Sequence, residues 1–169
     1  MGKLVFHFGA MNAGKSAKLL QMAYQLDGKK SMDVYTAQTS CSSISSRLGI
    51  KRPCKHIDAL FQDADLKFVR YIFVDECQWL KGHHIKKLRR YADMMNVEIH
   101  CFGLRSDFEG QMFPASRNLF MLADEFDHLH SFCDHCGCTA ILHNKTKGLG
   151  KDAYESVCYN HFKKGNNYE

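Results

Sequence analysis

The chain has 169 residues, 45% of them hydrophobic, and 23 Lys and Arg against 18 Asp and Glu give it a formal net charge of +5. That length suits one main domain with a small appendage, and that apolar content excludes global disorder. No run approaches the roughly 18 apolar residues of a membrane span, the N-terminal apolar run is broken by His7 and lacks a signal-peptide pattern, and eight cysteines without such a signal point to reduced thiols, metal binding and a cytoplasmic protein.

Leu4 to Phe8 reads as a short apolar strand. The next segment, Gly9-Ala10-Met11-Asn12-Ala13-Gly14-Lys15-Ser16, fits G-x-x-x-x-G-K-[ST]. Lys15 to Leu26 then reads as a helix, with Leu19, Leu20, Ala23, Tyr24 and Leu26 supplying apolar faces. Strand, Gly-rich turn and helix are the setting a phosphate-binding P-loop requires. Backbone N–H groups of residues 9–16 and the helix N-terminus offer partial positive charge to a polyphosphate such as that of ATP. Lys15 would reach its β- and γ-phosphates, and the Ser16 hydroxyl would ligate Mg²⁺.

Asp27-Gly28-Lys29-Lys30 ends that helix. Asp33 to Thr36 looks like a second strand, and Ala37 to Lys55, rich in Ser and Cys, reads as a loop over the site. Ala59 to Leu66 reads as a short helix. Val69 to Val74 is a buried apolar strand that ends at Asp75-Glu76, resembling a Walker B strand. Adjacent carboxylates on an extended chain face different ways, so Asp75 is read as the magnesium ligand and Glu76 as the acceptor of a proton from an attacking hydroxyl. Gly82 to Met95 is helical by its spacing of Ile85, Leu88, Tyr91, Ala92 and Met95. Its basic clusters, Lys86-Lys87 and Arg89-Arg90, read as a solvated face. The net charge suits an anionic nucleotide and is too mild to imply nucleic-acid binding. Val97 to Leu104 is another strand. This alternation predicts an α/β fold with a parallel sheet and a P-loop at the carboxyl ends of the strands.

Trp79, Leu104, Phe108 and Phe113 follow two strand ends. They could line a pocket for a flat base, although spacing alone favours core packing. Cys133-x-x-Cys136 and Cys158-x-x-His161 supply four soft ligands in two pairs, a pattern for structural, tetrahedral Zn²⁺. Cys138 and His135 compete as ligands but break the regular spacing. The expected division is residues 1–127 as the P-loop domain and 128–169 as a small zinc-binding domain with a tail.

Residues 9–16, the run Val74-Asp75-Glu76-Cys77-Gln78-Trp79-Leu80, the run Gly103-Leu104-Arg105-Ser106-Asp107-Phe108 and the terminal Cys/His pairs occur in the order seen in type II thymidine kinases. The chain closely resembles the bacterial and phage members of that family from Lys3 to His161. The resemblance implies transfer of the ATP γ-phosphoryl to the 5′-hydroxyl of a pyrimidine deoxynucleoside, thymidine above all. It also implies a zinc domain whose lasso loop covers the nucleoside, a homotetramer, and no membrane or direct nucleic-acid partner. Asp75 resembles the family's magnesium-associated acid and Glu76 its catalytic base. Trp79 stands where Phe is usual. Leu104, Phe108 and Phe113 match residues around the base, and Tyr154 matches the aromatic that closes over the nucleoside.

Two departures accompany the match. The family's Asp-x-Arg motif is missing from residues 37–47, which leaves Arg47 and Arg52 as the nearby arginines. Residues 143–151 replace a longer lasso segment. Together they predict a slower and less selective kinase, with a nucleotide- or partner-binding protein without turnover as the alternative.

Overall fold

In the computed structural model, residues 2–39, 41–63, 66–147 and 153–162 are described. The chain runs β1 (Lys3–Phe8), α1 (Lys15–Leu26), β2 (Met32–Thr36), β3 (Ser43–Ser45), β4 (Lys51–Pro53), β5 (Lys55–His56), α2 (Ile57–Asp63), β6 (Tyr71–Asp75), α3 (Gly82–Met95), β7 (Glu98–Gly103), α4 (Pro114–Leu122), β8 (Glu125–His128), β9 (Ser131–Phe132), β10 (Thr139–Ala140), β11 (Leu142–Lys145) and β12 (Tyr154–Val157). The central sheet is six-stranded, in the order β5-β2-β6-β7-β1-β8, and its pairings are parallel. This is the predicted α/β, P-loop-type architecture with a small Cys/His-bearing unit after it.

Side-chain alternation explains the two faces. Leu4, Phe6, Ile72, Val74, Ile99 and Cys101 pack under α2, α3 and α4, through Leu60, Ile85, Leu88, Ala92, Ala115 and Leu119. On the opposite face Val34, Phe73 and Phe102 meet Leu19, Leu20 and Ala23 of α1 and Ile44 of β3. The three apolar strands β1, β6 and β7 are therefore covered on both sides, which fixes their carboxyl ends beside one another.

Four stretches differ from the sequence expectation. Residues 43–53, expected to be loop, form an antiparallel hairpin, β3–β4, in which Ile44 faces Arg52. Ile44 is its buried side chain, and Gly49 at φ 82° closes the turn. The helix α4 carries no long apolar period; Pro114 at its first turn and Ala115 and Leu119 on one face define it. The edge strand β8 reads Glu-Phe-Asp-His, too polar and short to stand out. The helix expected over Ala59 to Leu66 spans Ile57–Asp63, and residues 64 and 65 lie outside the described set.

A polar chain crosses the α1 face of the sheet. The Asp127 carboxylate accepts from Lys18 at 2.7 Å and contacts His7 Nδ1 at 2.6 Å. His7 Nε2 lies 2.8 Å from His100 Nδ1, and His100 Nε2 lies 3.0 Å from Glu98. Burial is the largest influence on both rings and disfavours their charged forms; it lowers the pKa of His7 and pushes that of His100 down to about 3. The unfolded chain binds a proton near the ordinary histidine value of about 6.5, and the folded protein resists it. Stability contributed by neutral His100 is thus present above about pH 6.5 and is lost as pH falls toward 3. Urea unfolding at pH 7 and pH 4 should show this acid loss, on the order of 4 kcal/mol at its fullest. His100→Gln, which keeps a neutral donor and acceptor, should flatten the slope; an unchanged slope would assign the acid loss to other groups.

Candidate active site

The P-loop is shaped by close packing at its first glycine. A Cβ on Gly9 would lie 2.3 Å from the Leu129 carbonyl oxygen and 2.9 Å from the Ala13 side chain, so a larger residue cannot sit there. Asn12 at φ 63° and Gly14 at φ 78° turn the loop back onto α1. No side chain caps α1, which leaves its positive end available to an anion. Lys15 Nζ donates to the carbonyls of Ala10 at 2.7 Å and Gly9 at 3.3 Å, which holds it along the loop.

The end of β6 meets that loop. The Ser16 hydroxyl donates to Asp75 Oδ2 at 3.1 Å, so two hard oxygen ligands of the kind Mg²⁺ takes lie together. Burial raises the Asp75 carboxyl, the Glu76 charge raises it further, and its pKa stands at about 6 despite the opposing pull of Ser16 and Lys15. Such a carboxylate gains from a cation beside it. Glu76 leaves the strand in a left-handed conformation, φ 55° and ψ 35°, which a non-glycine residue adopts at a cost of about 1–3 kcal/mol.

A cavity of about 330 Å³ opens above the P-loop. Met11, Asn12, Gly14, Lys15, Ser16 and Ala17 line one side, Ser45, Ser46, Arg47 and Leu48 of the β3–β4 hairpin another, and Glu76 and Leu104 complete it. Arg47 therefore reaches the site, whereas Arg52 is bound to Asp27 at 3.1 and 3.3 Å. The other aromatic candidates form two pairs. Trp79 and Phe113 pack edge to face at 5.4 Å, with Trp79 60% exposed. Phe108 and Tyr154 face each other at 6.2 Å, with Lys145 over the Phe108 ring. His143 meets the edge of Tyr154. Burial, then the Lys15 charge, lowers the His143 pKa to about 4.

The small C-terminal unit brings Cys133, Cys136, Cys158 and His161 together, with their ligand atoms within 4.8 Å of one another. Cys136 Sγ and Cys158 Sγ are 3.7 Å apart, and His161 Nδ1 lies 3.6 Å from Cys133 Sγ and 3.3 Å from Cys158 Sγ. A tetrahedral zinc with bonds of about 2.3 Å to sulfur and 2.0–2.1 Å to nitrogen has edges of about 3.8 and 3.5 Å. The set therefore fits zinc. Burial raises the Cys133 thiol, but backbone N–H donors at Cys158, His135 and Cys136 outweigh it and bring the thiol to about 6, toward the thiolate a metal binds. Cys138 is exposed, and His135 pairs with Glu155 at 3.1 Å; neither joins the cluster. The unit is seated on the P-loop by Ser156, whose hydroxyl donates to the Met11 carbonyl at 2.7 Å.

Thr146 N–H donates to the Ala153 carbonyl at 2.7 Å and closes the β11–β12 hairpin; residues 148–152 of the lasso segment lie outside the described set. Sequence reasoning placed residues 37–55 over the site but missed their hairpin form and the Ser156 contact. Gly49 was a usable signal for the turn, while no local pattern marks a serine that bonds across the chain. No helix among the described residues is long and apolar enough to cross a membrane.

Parallel sheet, P-loop and a Walker-B-like acid bonded to the P-loop serine define an α/β protein of the P-loop NTPase type with an appended Cys₃His cluster. The thymidine kinase family model matches residues 2–162, and the chain belongs to that family. It is 36% identical to the thymidine kinase of Chromobacterium violaceum over 162 residues, 92% of this chain and 88% of that one. It is 35% identical to the thymidine kinase of Agrobacterium fabrum, covering 93% and 87% of the two chains. With that of Escherichia coli strain K12 it shares 31% over 189 residues, 96% and 91%. Among solved structures, a Pif1 helicase from Candida albicans is a distant likeness, at TM-score 0.49 and 16% identity over 76% of this chain and 36% of its own.

Proposed function

We propose that this protein moves the γ-phosphoryl of ATP to the 5′-hydroxyl of a pyrimidine deoxynucleoside, with thymidine as the principal substrate. The observation that carries this reading is Glu76 on the wall of the same cavity as Lys15 and Ser16. A base, a phosphate cradle and the Ser16 hydroxyl then share one space, with Asp75 bonded to Ser16 behind it, and most of such catalysis is positioning and electrostatics. The P-loop holds the polyphosphate, and Lys15 exchanges its loop carbonyls for the β- and γ-phosphates. Ser16 and Asp75 would hold Mg²⁺, which when bound neutralises phosphate charge. Glu76 accepts the proton of the 5′-hydroxyl. Leu104, Phe108 and Tyr154, with Trp79 and Phe113 further out, supply apolar surface for the base.

Arg47 stands in for the missing Asp-x-Arg arginine, since it lines the cavity and Arg52 is engaged elsewhere. An exposed arginine on a hairpin turn is less preorganised than a fixed one, so kcat should be low by the standard of the family. A short lasso offers fewer groups to read the edge of the base, and apolar walls discriminate poorly between similar rings. KM for thymidine should therefore be raised, with measurable use of deoxyuridine and deoxycytidine. The test is kcat/KM for these nucleosides at several enzyme concentrations, which also reads whether a second subunit completes the site. Efficient, thymidine-selective turnover would contradict the selectivity argument. No turnover with any nucleoside, alongside retained ATP binding, would favour the second reading, a nucleotide-binding family member without catalysis. The lost Asp-x-Arg motif is the observation that motivates it.

A further inference from the structure

We propose that Gln78 is the positioning residue for Glu76, an inference that rests on the kinase reading of the site. Gln78 is 2% exposed and sits in the short 3₁₀ turn after β6. Its amide is oriented by chemistry. The Leu104 backbone N–H can only donate, and it lies 3.1 Å from Gln78 Oε1. The amide nitrogen therefore faces the other way, where Nε2–H donates to Glu76 Oε2 at 2.6 Å. One carboxylate oxygen is held by this bond, and the other is left for the substrate hydroxyl.

The arrangement leaves the amide little freedom. A Cβ on Gly103 would lie 2.8 Å from Gln78 Oε1 and 2.6 Å from Cys77 Sγ, so a glycine at the end of β7 makes room for the clamp. Trp79 N–H bonds to the Glu76 carbonyl at 3.2 Å and Leu80 N–H to the Cys77 carbonyl at 3.1 Å, which fixes the turn. Glu76 and Leu104 both line the cavity. A single buried amide thus ties the base that follows β6 to the wall after β7.

The test is a double-mutant cycle read in steady-state kinetics with ATP and thymidine. Gln78→Met keeps the length but neither bond, and Gln78→Glu keeps an acceptor for Leu104 but sets a second carboxyl against Glu76, so that the buried pair shares a proton. Gln78→Met should lower kcat about 100-fold, the scale of a misplaced catalytic group, with the KM for ATP near wild type, and Gln78→Glu should shift the acid limb of the pH–kcat profile, because it changes the proton affinity of Glu76 itself. In a Glu76→Gln background the same changes should cost less than about threefold, because a residue that acts through another loses its effect when the other is gone. Wild-type kcat in Gln78→Met, or a full loss that persists in the Glu76→Gln background, overturns the positioning role alone. A wild-type protein without turnover overturns the kinase reading and this inference together.

Discussion

Lys15→Ala is expected to abolish phosphoryl transfer, with a loss on the order of 10³-fold or more, and to weaken ATP binding strongly. The side chain is already drawn along the loop by the Ala10 and Gly9 carbonyls, so its ammonium sits where phosphate oxygens would compete for it. Alanine leaves the backbone cradle but deletes the loop's mobile point charge on the β- and γ-phosphates, whose charge grows or spreads in the transition state. The fold should survive, because the Lys15 side chain packs against the loop and not in either core cluster. Titration calorimetry with ATP reads the effect directly. Unchanged affinity would remove the P-loop assignment, whatever the kinetics show.

Loss of zinc is expected to unfold the C-terminal unit while the sheet persists. Among the described residues of that unit, the buried apolar cluster is small: Leu142, Val157 and Phe162 around two of the cysteines. Metal binding contributes roughly 10–16 kcal/mol in small zinc-finger peptides, far more than such a cluster supplies. Chelation, or Cys158→Ser, should therefore expose residues 131–162 to hydrogen exchange before β1, β6 and β7. The Ser156 bond to Met11 should go with it, so ATP affinity should fall although no ligand of the nucleotide is touched. Cys138→Ser should change neither. Elemental analysis should give one zinc per chain; no zinc, or a zinc whose retention depends on Cys138, would refute the cluster as its site.

The legibility of the chain in its sequence follows the strength of local signals. The strands β1, β6 and β7 are mainly apolar runs, and α1 and α3 carry a clean helical period, so their existence was plain and both helix bounds were found to the residue. The hairpin β3–β4 was hidden because its strands are three residues each and only Ile44 is buried. The helix α4 was hidden because its packing against α3 and the 3₁₀ turn after β6, through Ala115 and Leu119, leaves no repeated apolar face of useful length. At the site, motif spacing named the P-loop, Asp75-Glu76 and the Cys/His set. It did not name what Gln78 bonds to, nor that Arg47 and not Arg52 reaches the cavity, since both depend on contacts between segments far apart in sequence.

The central claim is that Glu76 takes the proton from a nucleoside 5′-hydroxyl as the ATP γ-phosphoryl is transferred. Its most direct test is single-turnover transfer from γ-labelled ATP to thymidine, for the wild type and for Glu76→Gln. The wild type should deliver label to the 5′-oxygen. Glu76→Gln, which keeps the shape but cannot accept the proton, should bind ATP and thymidine normally and transfer label about 10²- to 10⁴-fold more slowly. Transfer by Glu76→Gln at the wild-type rate would contradict the account and move the search for the base to Asp75.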